Sequence, residues 1–96
     1  MKVRVSGKAR ADLLQIHSYL AERNPAAAES VLQDINSKLR QLSHFPFMGR
    51  ERPEFAQNLR SALVRTHLIF YTVTGDQIVI MRVVDGRMDV DKEFRR

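Results

Sequence analysis

Apolar and charged residues alternate at the start of the chain, with Val3 and Val5 on one side and Lys2 and Arg4 on the other. A period of two marks a strand, so residues 1–5 are expected to form a short edge strand that Ser6 and Gly7 terminate. The period then changes. Ala9, Leu13, Ile16 and Leu20 recur at helical spacing, giving one apolar stripe on a helix of about 15 residues. Ser6 is placed to cap that helix, and Asp12 lies toward its start, where the helix dipole favours negative charge. Asn24-Pro25 must end it, because the residue before a proline is driven out of the α region. The same two residues start the next helix, with Asn24 as cap and Pro25 in the first helical position. This second helix is expected from Pro25 to Ser43. Ala28, Val31, Leu32, Ile35, Leu39 and Leu42 form its stripe, and Asp34, Lys38 and Arg40 point outward. So short a connection folds the pair into an antiparallel hairpin.

Between His44 and Pro53, two prolines and a glycine interrupt both periods, which predicts an irregular loop with aromatic anchors. From Leu59 the chain turns to β-branched and aromatic residues, and three strands are expected at 59–65, 67–73 and 78–84. Gly75-Asp76 reads as a two-residue hairpin turn. That turn sets Val73 opposite Ile78, Tyr71 opposite Ile80, Ile69 opposite Arg82 and His67 opposite Val84 on one face. Leu68, Phe70, Thr72, Val79, Met81 and Val83 then share the other face. The predicted fold is therefore α+β: a short N-terminal strand and an antiparallel helical hairpin packed on a small antiparallel β-sheet, one domain over residues 1–96.

Both faces of that hairpin of strands are mainly apolar, yet one helical hairpin covers only one face of a small sheet. A bare apolar patch of several hundred Å² usually marks an interaction surface. Burying about 500 Å² of it would contribute about 12 kcal/mol gross at ~25 cal/mol per Å². A partner is the expected cover. The alternative is closure by sheet twist and by Phe45, Phe47 and Phe55.

Composition narrows the class. The 96 residues carry 16 Lys and Arg against 11 Asp and Glu, a net charge of +5, and the pI is about 10.2, which favours acidic partners. There are no cysteines, so disulfide frameworks and thiolate metal sites are excluded. The N-terminus lacks the basic and apolar regions of a signal peptide, and no apolar run is long enough to span a membrane, so a cytoplasmic protein with no membrane partner is expected. His17, His44 and His67 stand at no metal-ligand spacing, the four glycines make no phosphate loop, and neither a metal nor a cofactor is expected. The positive charge is spread along the chain and no helix carries a basic stripe, so direct sequence-specific nucleic-acid binding is not expected. Arg82 interrupts an apolar strand and needs a counter-ion, for which Asp85 and Asp89 are the nearest in sequence.

Five local signatures occur in order: Ala9-x-x-Asp12-Leu13-x-x-Ile16-x-x-Tyr19, Pro46-x-x-Gly49-Arg50, Leu59-Arg60, Leu68-Ile69-Phe70-Tyr71, and Ile78-x-Ile80-x-Arg82-Val83-x-x-Gly86-Arg87-x-Asp89. Together they span nearly the whole chain and resemble the ParE-like toxins of the ParE/RelE superfamily of bacterial type II toxin-antitoxin systems. The resemblance implies the fold just derived. It also implies a cognate antitoxin, often of ribbon-helix-helix type, whose C-terminal segment wraps the toxin, in a complex such as a heterotetramer, or a homodimer of the free protein.

For the target, the resemblance implies DNA gyrase in the ParE branch and ribosome-dependent mRNA cleavage in the RelE branch. A common catalytic arginine of RelE-like enzymes falls here on Leu68. No His or Tyr follows Arg87, and Asp89, Asp91 and Glu93 would repel RNA. The expected activity is gyrase inhibition without catalysis. The alternatives are the mRNA endonuclease and a non-toxic homologue that acts only as a binding module. Antitoxin contacts are expected from Arg60, Leu68, Phe70, Met81, Arg82 and Arg87, and gyrase contacts from Arg87, Asp89, Phe94, Arg95 and Arg96.

Overall fold

The computed structural model describes residues 1–88, 90 and 92. Its elements follow the order β1 (Lys2–Val5), α1 (Gly7–Arg23), α2 (Pro25–His44), β2 (Arg50–Glu51), β3 (Leu59–Val64), β4 (His67–Thr74) and β5 (Gln77–Asp85). The helix ends obey the local chemistry. Ser6 Oγ accepts from the Ala9 amide at 3.1 Å, and Asn24 Oδ1 accepts from the Ala27 amide at 3.2 Å with Pro25 opening α2, which satisfies amides that a helix start leaves without partners. Asn24 also closes α1, its own amide donating to the Leu20 carbonyl at 2.7 Å.

The sheet runs β1-β5-β4-β3-β2. β1 lies at one edge, parallel to β5, and the other neighbours are antiparallel. Beside one-residue shifts at the ends of α2, β4 and β5, two boundaries differ from expectation in ways that matter for the fold. The stretch 44–53 is not wholly irregular, because Arg50 and Glu51 pair with Ser61 and Arg60 to form β2, a strand too short to leave a period in the sequence. Arg65 lies outside β3 with a φ of 55° and occupies the tight turn to β4. There its guanidinium reaches back to α2, meeting Asp34 Oδ2 at 2.6 Å and Ser30 Oγ at 2.7 Å.

The larger correction is the register of β4 and β5. From the turn as far as Tyr71 and Ile80 the pairing is as expected, but a bulge follows. Phe70 then faces Arg82, Ile69 faces Val83, Leu68 faces Val84 and His67 faces Asp85. Met81 is the extra residue. Strict alternation would have set Arg82 beneath the helices with Ile69, where an unpaired charge is costly. The bulge puts Val83 there instead.

Arg82 meets Asp12 of α1 in a two-point ion pair, Nε to Oδ2 at 2.8 Å and Nη2 to Oδ1 at 3.0 Å. Asp12 Oδ2 also accepts from the Val83 amide at 2.9 Å. Asp12 is thus a counter-ion of Arg82 that the sequence did not suggest, Asp85 pairs with Arg87 instead, and Asp89 lies outside the described residues. Asp12 sits beyond the first turn of α1 and acts on the sheet rather than on the helix dipole.

Two apolar clusters result. Between helices and sheet lie Ala9, Val31, Ile35, Leu42, Ile69, Tyr71, Ile78, Ile80 and Val83 among others. On the opposite face Leu59, Phe70 and Val84 are buried under Phe55, Leu68 and Val90. Phe55 meets Phe70 edge-on, ring centroids 5.8 Å apart, and the Arg52 guanidinium lies 5.9 Å from both ring centroids. The chain's own residues therefore cover much of the second face, leaving Leu63 of β3 61% exposed there. Of the three loop aromatics expected there, Phe55 takes part, while Phe45 and Phe47 point to solvent.

Replacing Asp12 with Ala removes both oxygens from a half-buried guanidinium and the acceptor from the Val83 amide. Breaking such a pair from one side costs about 3 kcal/mol. Urea denaturation of Asp12→Ala should show that loss, and the change should be less than additive with Arg82→Met. A loss under ~0.5 kcal/mol would mean the pair is a solvated surface contact.

Candidate functional site

Two regions concentrate the polar side chains that the sequence marks. The first is the turn between α2 and β2. The Tyr71 hydroxyl, on a fully buried ring, donates to the Pro46 carbonyl at 2.8 Å and accepts from the Gly49 amide at 2.9 Å. Arg60 donates from Nη1 to the Phe47 and Gly49 carbonyls at 3.1 and 2.9 Å, with Glu51 Oε1 at 3.4 Å from Nη2. A Cβ on Gly49 would come within 3 Å of the Tyr71 ring and the Ser61 carbonyl, so glycine is required for close approach. This turn is held from behind by two side chains that the sheet positions.

The second region is a groove of about 470 Å³ between α1 and the end of β5, floored by Ile16, Leu20 and Val83 and edged by Tyr19, Arg87 and Met88. Tyr19 carries Arg23 stacked on its ring, 3.8 Å from the centroid. Arg87 clasps Asp85, Nε to Oδ1 at 3.0 Å and Nη2 to Oδ2 at 2.7 Å, and its amide adds a bond to Oδ1 at 2.9 Å. The Arg87 hydrogen bonds hold the Asp85 carboxyl at about 2, well below its ordinary 3.8. Across the ladder His67 is lowered from 6.5 chiefly by burial, with Arg87 adding to that and Asp85 opposing it. Its Nδ1 is buried without a hydrogen-bond partner.

The residues that the sequence proposes as one binding set are dispersed by the fold. Arg60 serves the 46–49 turn. Phe70 is fully buried and Leu68 partly buried in the second-face cluster, and Arg82 is tied to Asp12. Met81 stands at the bulge, partly open to solvent, and Arg87 is exposed while paired with Asp85. Asp89, Phe94, Arg95 and Arg96 lie outside the described residues. Tyr19 and Met88 border the α1–β5 groove without standing among the expected contacts, although Tyr19 closes the first of the five signatures. Tyr19 was visible as an aromatic lying off the core stripe of α1, four residues before an arginine. Among the described residues no group of three His, Asp or Glu side chains is arranged to hold a metal, and no helix is long and apolar enough to cross a membrane.

A helical hairpin on a mostly antiparallel five-stranded sheet, with the Pro46–Gly49 turn pinned by Tyr71 and Arg60, defines a small α+β fold class shared with known proteins. Residues 3–90 match the family described as ParE toxin of type II toxin-antitoxin system, parDE, and the chain belongs to that family. It is 34% identical over 80 residues to Toxin ParE3 of Caulobacter vibrioides, covering 82% of this chain and 80% of that one. Toxin ParE1 of Mycobacterium tuberculosis is 32% identical over 68 residues, 70% of this chain and 69% of that one. Toxin RelE3 of Caulobacter vibrioides is 31% identical over 85 residues, 84% of this chain and 89% of its own. Among solved structures, the chromosomal ParDE TA system from P. aeruginosa aligns with a TM-score of 0.77 at 25% identity, covering 88% of this chain and 95% of that one. The protein is a type II toxin-antitoxin system toxin of the ParE family.

Acid should act on this fold in two separate steps. His67 is depressed in the folded state, so its contribution to stability is complete above pH 6.5 and falls below it, where the unfolded chain takes up the proton first. Asp85 is also depressed, so its contribution is complete above 3.8 and is lost as pH falls toward about 2. NMR titration should place the Asp85 carboxyl near 2 and the His67 imidazole below 6.5, and Arg87→Ala should return Asp85 toward 3.8. A wild-type Asp85 that titrates at 3.8 would mean Arg87 does not clasp it in solution.

Proposed function

We propose that this toxin inhibits DNA gyrase without catalysis of its own and is neutralised by direct binding of a cognate antitoxin, for which the ribbon-helix-helix type is the expectation. The observation that carries this reading over the nuclease is the state of the arginines. Stabilising a pentacoordinate phosphate needs cations free to reach it. Here Arg60 is bonded to two loop carbonyls, Arg65 to Asp34 and Ser30, and Arg82 to Asp12. Leu68, at the position where RelE-like enzymes commonly carry an arginine, faces the apolar second-face cluster. The similarity to two ParE toxins supports the same branch. The similarity to RelE3 supports the second reading, ribosome-dependent mRNA cleavage.

For the antitoxin, the groove between α1 and β5 is the favoured seat, since the cluster on the second sheet face is largely covered from within. Arg87 is the member of the sequence-proposed set that borders it, with Tyr19 and Met88 as apolar contacts. The description of the solved relative as a ParDE system supports an antitoxin partner. The stretch from Arg87 to Arg96, with Arg87, Asp89, Phe94, Arg95 and Arg96, remains the proposed gyrase-directed tail.

Purified protein added to gyrase should block supercoiling or trap cleaved DNA while leaving mRNA intact in a translating ribosome assay. Cleaved mRNA with unaffected gyrase would reverse the assignment and require one of the three arginines to leave its internal partner.

A further inference from the structure

The turn after α2 is rigid inside and apolar outside. Four of its backbone polar contacts are made by Tyr71 and Arg60, and the Met48 amide closes it on the Phe45 carbonyl at 3.2 Å. Yet Phe45 is 66% exposed, Phe47 63% and Met48 46%. Large apolar side chains presented on a preformed loop lose little conformational freedom on binding, and Phe and Met are enriched in the cores of protein interfaces. Neither the core nor the second-face cluster uses them.

Two further observations say what would fit. Beside Phe47 opens a cleft of about 340 Å³, walled by Gln57, Asn58, Arg60 and Val73, with Asn58 held at a φ of 62°. A concavity lined by two amides and an aromatic suits a protein side chain. A flat lipid surface or a uniform phosphate backbone would leave it empty. The surroundings are basic: Arg40 and Arg50 flank the turn in sequence and are exposed, and so is Lys2, next to the Met1 nitrogen that meets the Ser43 carbonyl at 3.1 Å. Glu51 also lines the cleft, but its carboxylate is paired with Arg60 at 3.4 Å. That charge opposes a second copy of the same surface and favours carboxylates.

We propose that the Phe45–Met48 turn and the cleft beside Phe47 form a docking surface for an acidic patch on a partner protein with an apolar centre. On the function proposed above, that patch belongs to gyrase, and the inference rests on that reading. The turn then acts as a contact element additional to the C-terminal tail.

The test compares wild type, Phe45→Ser/Phe47→Ser, and the exposed-leucine control Leu14→Ser for gyrase binding by surface plasmon resonance and for supercoiling inhibition, with circular dichroism as the check on folding. The double variant should remain folded, bind gyrase at least about tenfold more weakly and lose inhibition, while Leu14→Ser matches wild type. Equal binding by the double variant and wild type would overturn the docking surface and leave the gyrase reading standing. Wild type that neither binds nor inhibits gyrase would overturn both. Self-association in ultracentrifugation, binding to a single-stranded 20-mer, or binding to anionic phosphatidylglycerol vesicles, if lost in the double variant while gyrase binding is retained, would assign the surface to a different occupant and overturn the proposal.

Discussion

One carboxylate holds the two halves of this fold in register. Asp12 reaches from α1 to the edge of β5 just beyond the point where β1 ends, takes the Arg82 guanidinium in two bonds and accepts the Val83 amide. β1 pairs with β5 only from Gln77 to Ile80, and Ser6 continues the edge by meeting the Ile80 carbonyl through its amide and the Met81 carbonyl through its hydroxyl, both at 3.0 Å. The first turns of α1 therefore supply the hydrogen bonds that a longer β1 would have made. With that edge closed, the bulge at Met81 can turn Val83 into the core and hold Arg82 against a counter-ion.

This arrangement bears directly on function. Two of the strand arginines, Arg60 and Arg82, are bound within the fold, and the sheet face away from the helices carries the apolar cluster of Leu59, Leu68, Phe70 and Val84. The open features are a groove along α1 and a rigid aromatic turn. Both suit the protein-binding role proposed above, a choice that the fold alone does not make.

How much of this was legible depended on the range of the forces involved. The helical hairpin was readable because its determinants are local: Ser6, Asn24 and Pro25 act within one turn of where they stand. The strands were readable from composition, and the 75–76 turn from its glycine. The bulge was not, because its cause is a carboxylate 70 residues away. Its one trace in the sequence is that Arg82 shares parity with Ile78 and Ile80, an arginine on what would otherwise be a core face. The roles of Arg60 and Phe70 were hidden for the same reason. Arg60 looked like a surface cation until the turn that it supports, 11 to 13 residues earlier, was in place. For Phe70 the sequence left a partner and closure by Phe45, Phe47 or Phe55 both open, and Phe55 is the one that packs on it. The Pro46-x-x-Gly49-Arg50 signature proves to be architectural, since its proline carbonyl and glycine amide bind the Tyr71 hydroxyl.

The central claim is that Asp12 closes the β5 edge and keeps Arg82 from acting on phosphate. Hydrogen exchange measured by NMR at the Val83 amide and the Arg82 Nε–H, with and without a short RNA, tests it most directly. The account predicts that both protons exchange slowly, as ladder amides do, and that RNA leaves both signals unmoved. A Val83 amide exchanging as fast as a free edge amide, or an Arg82 signal that shifts on adding RNA, would contradict it.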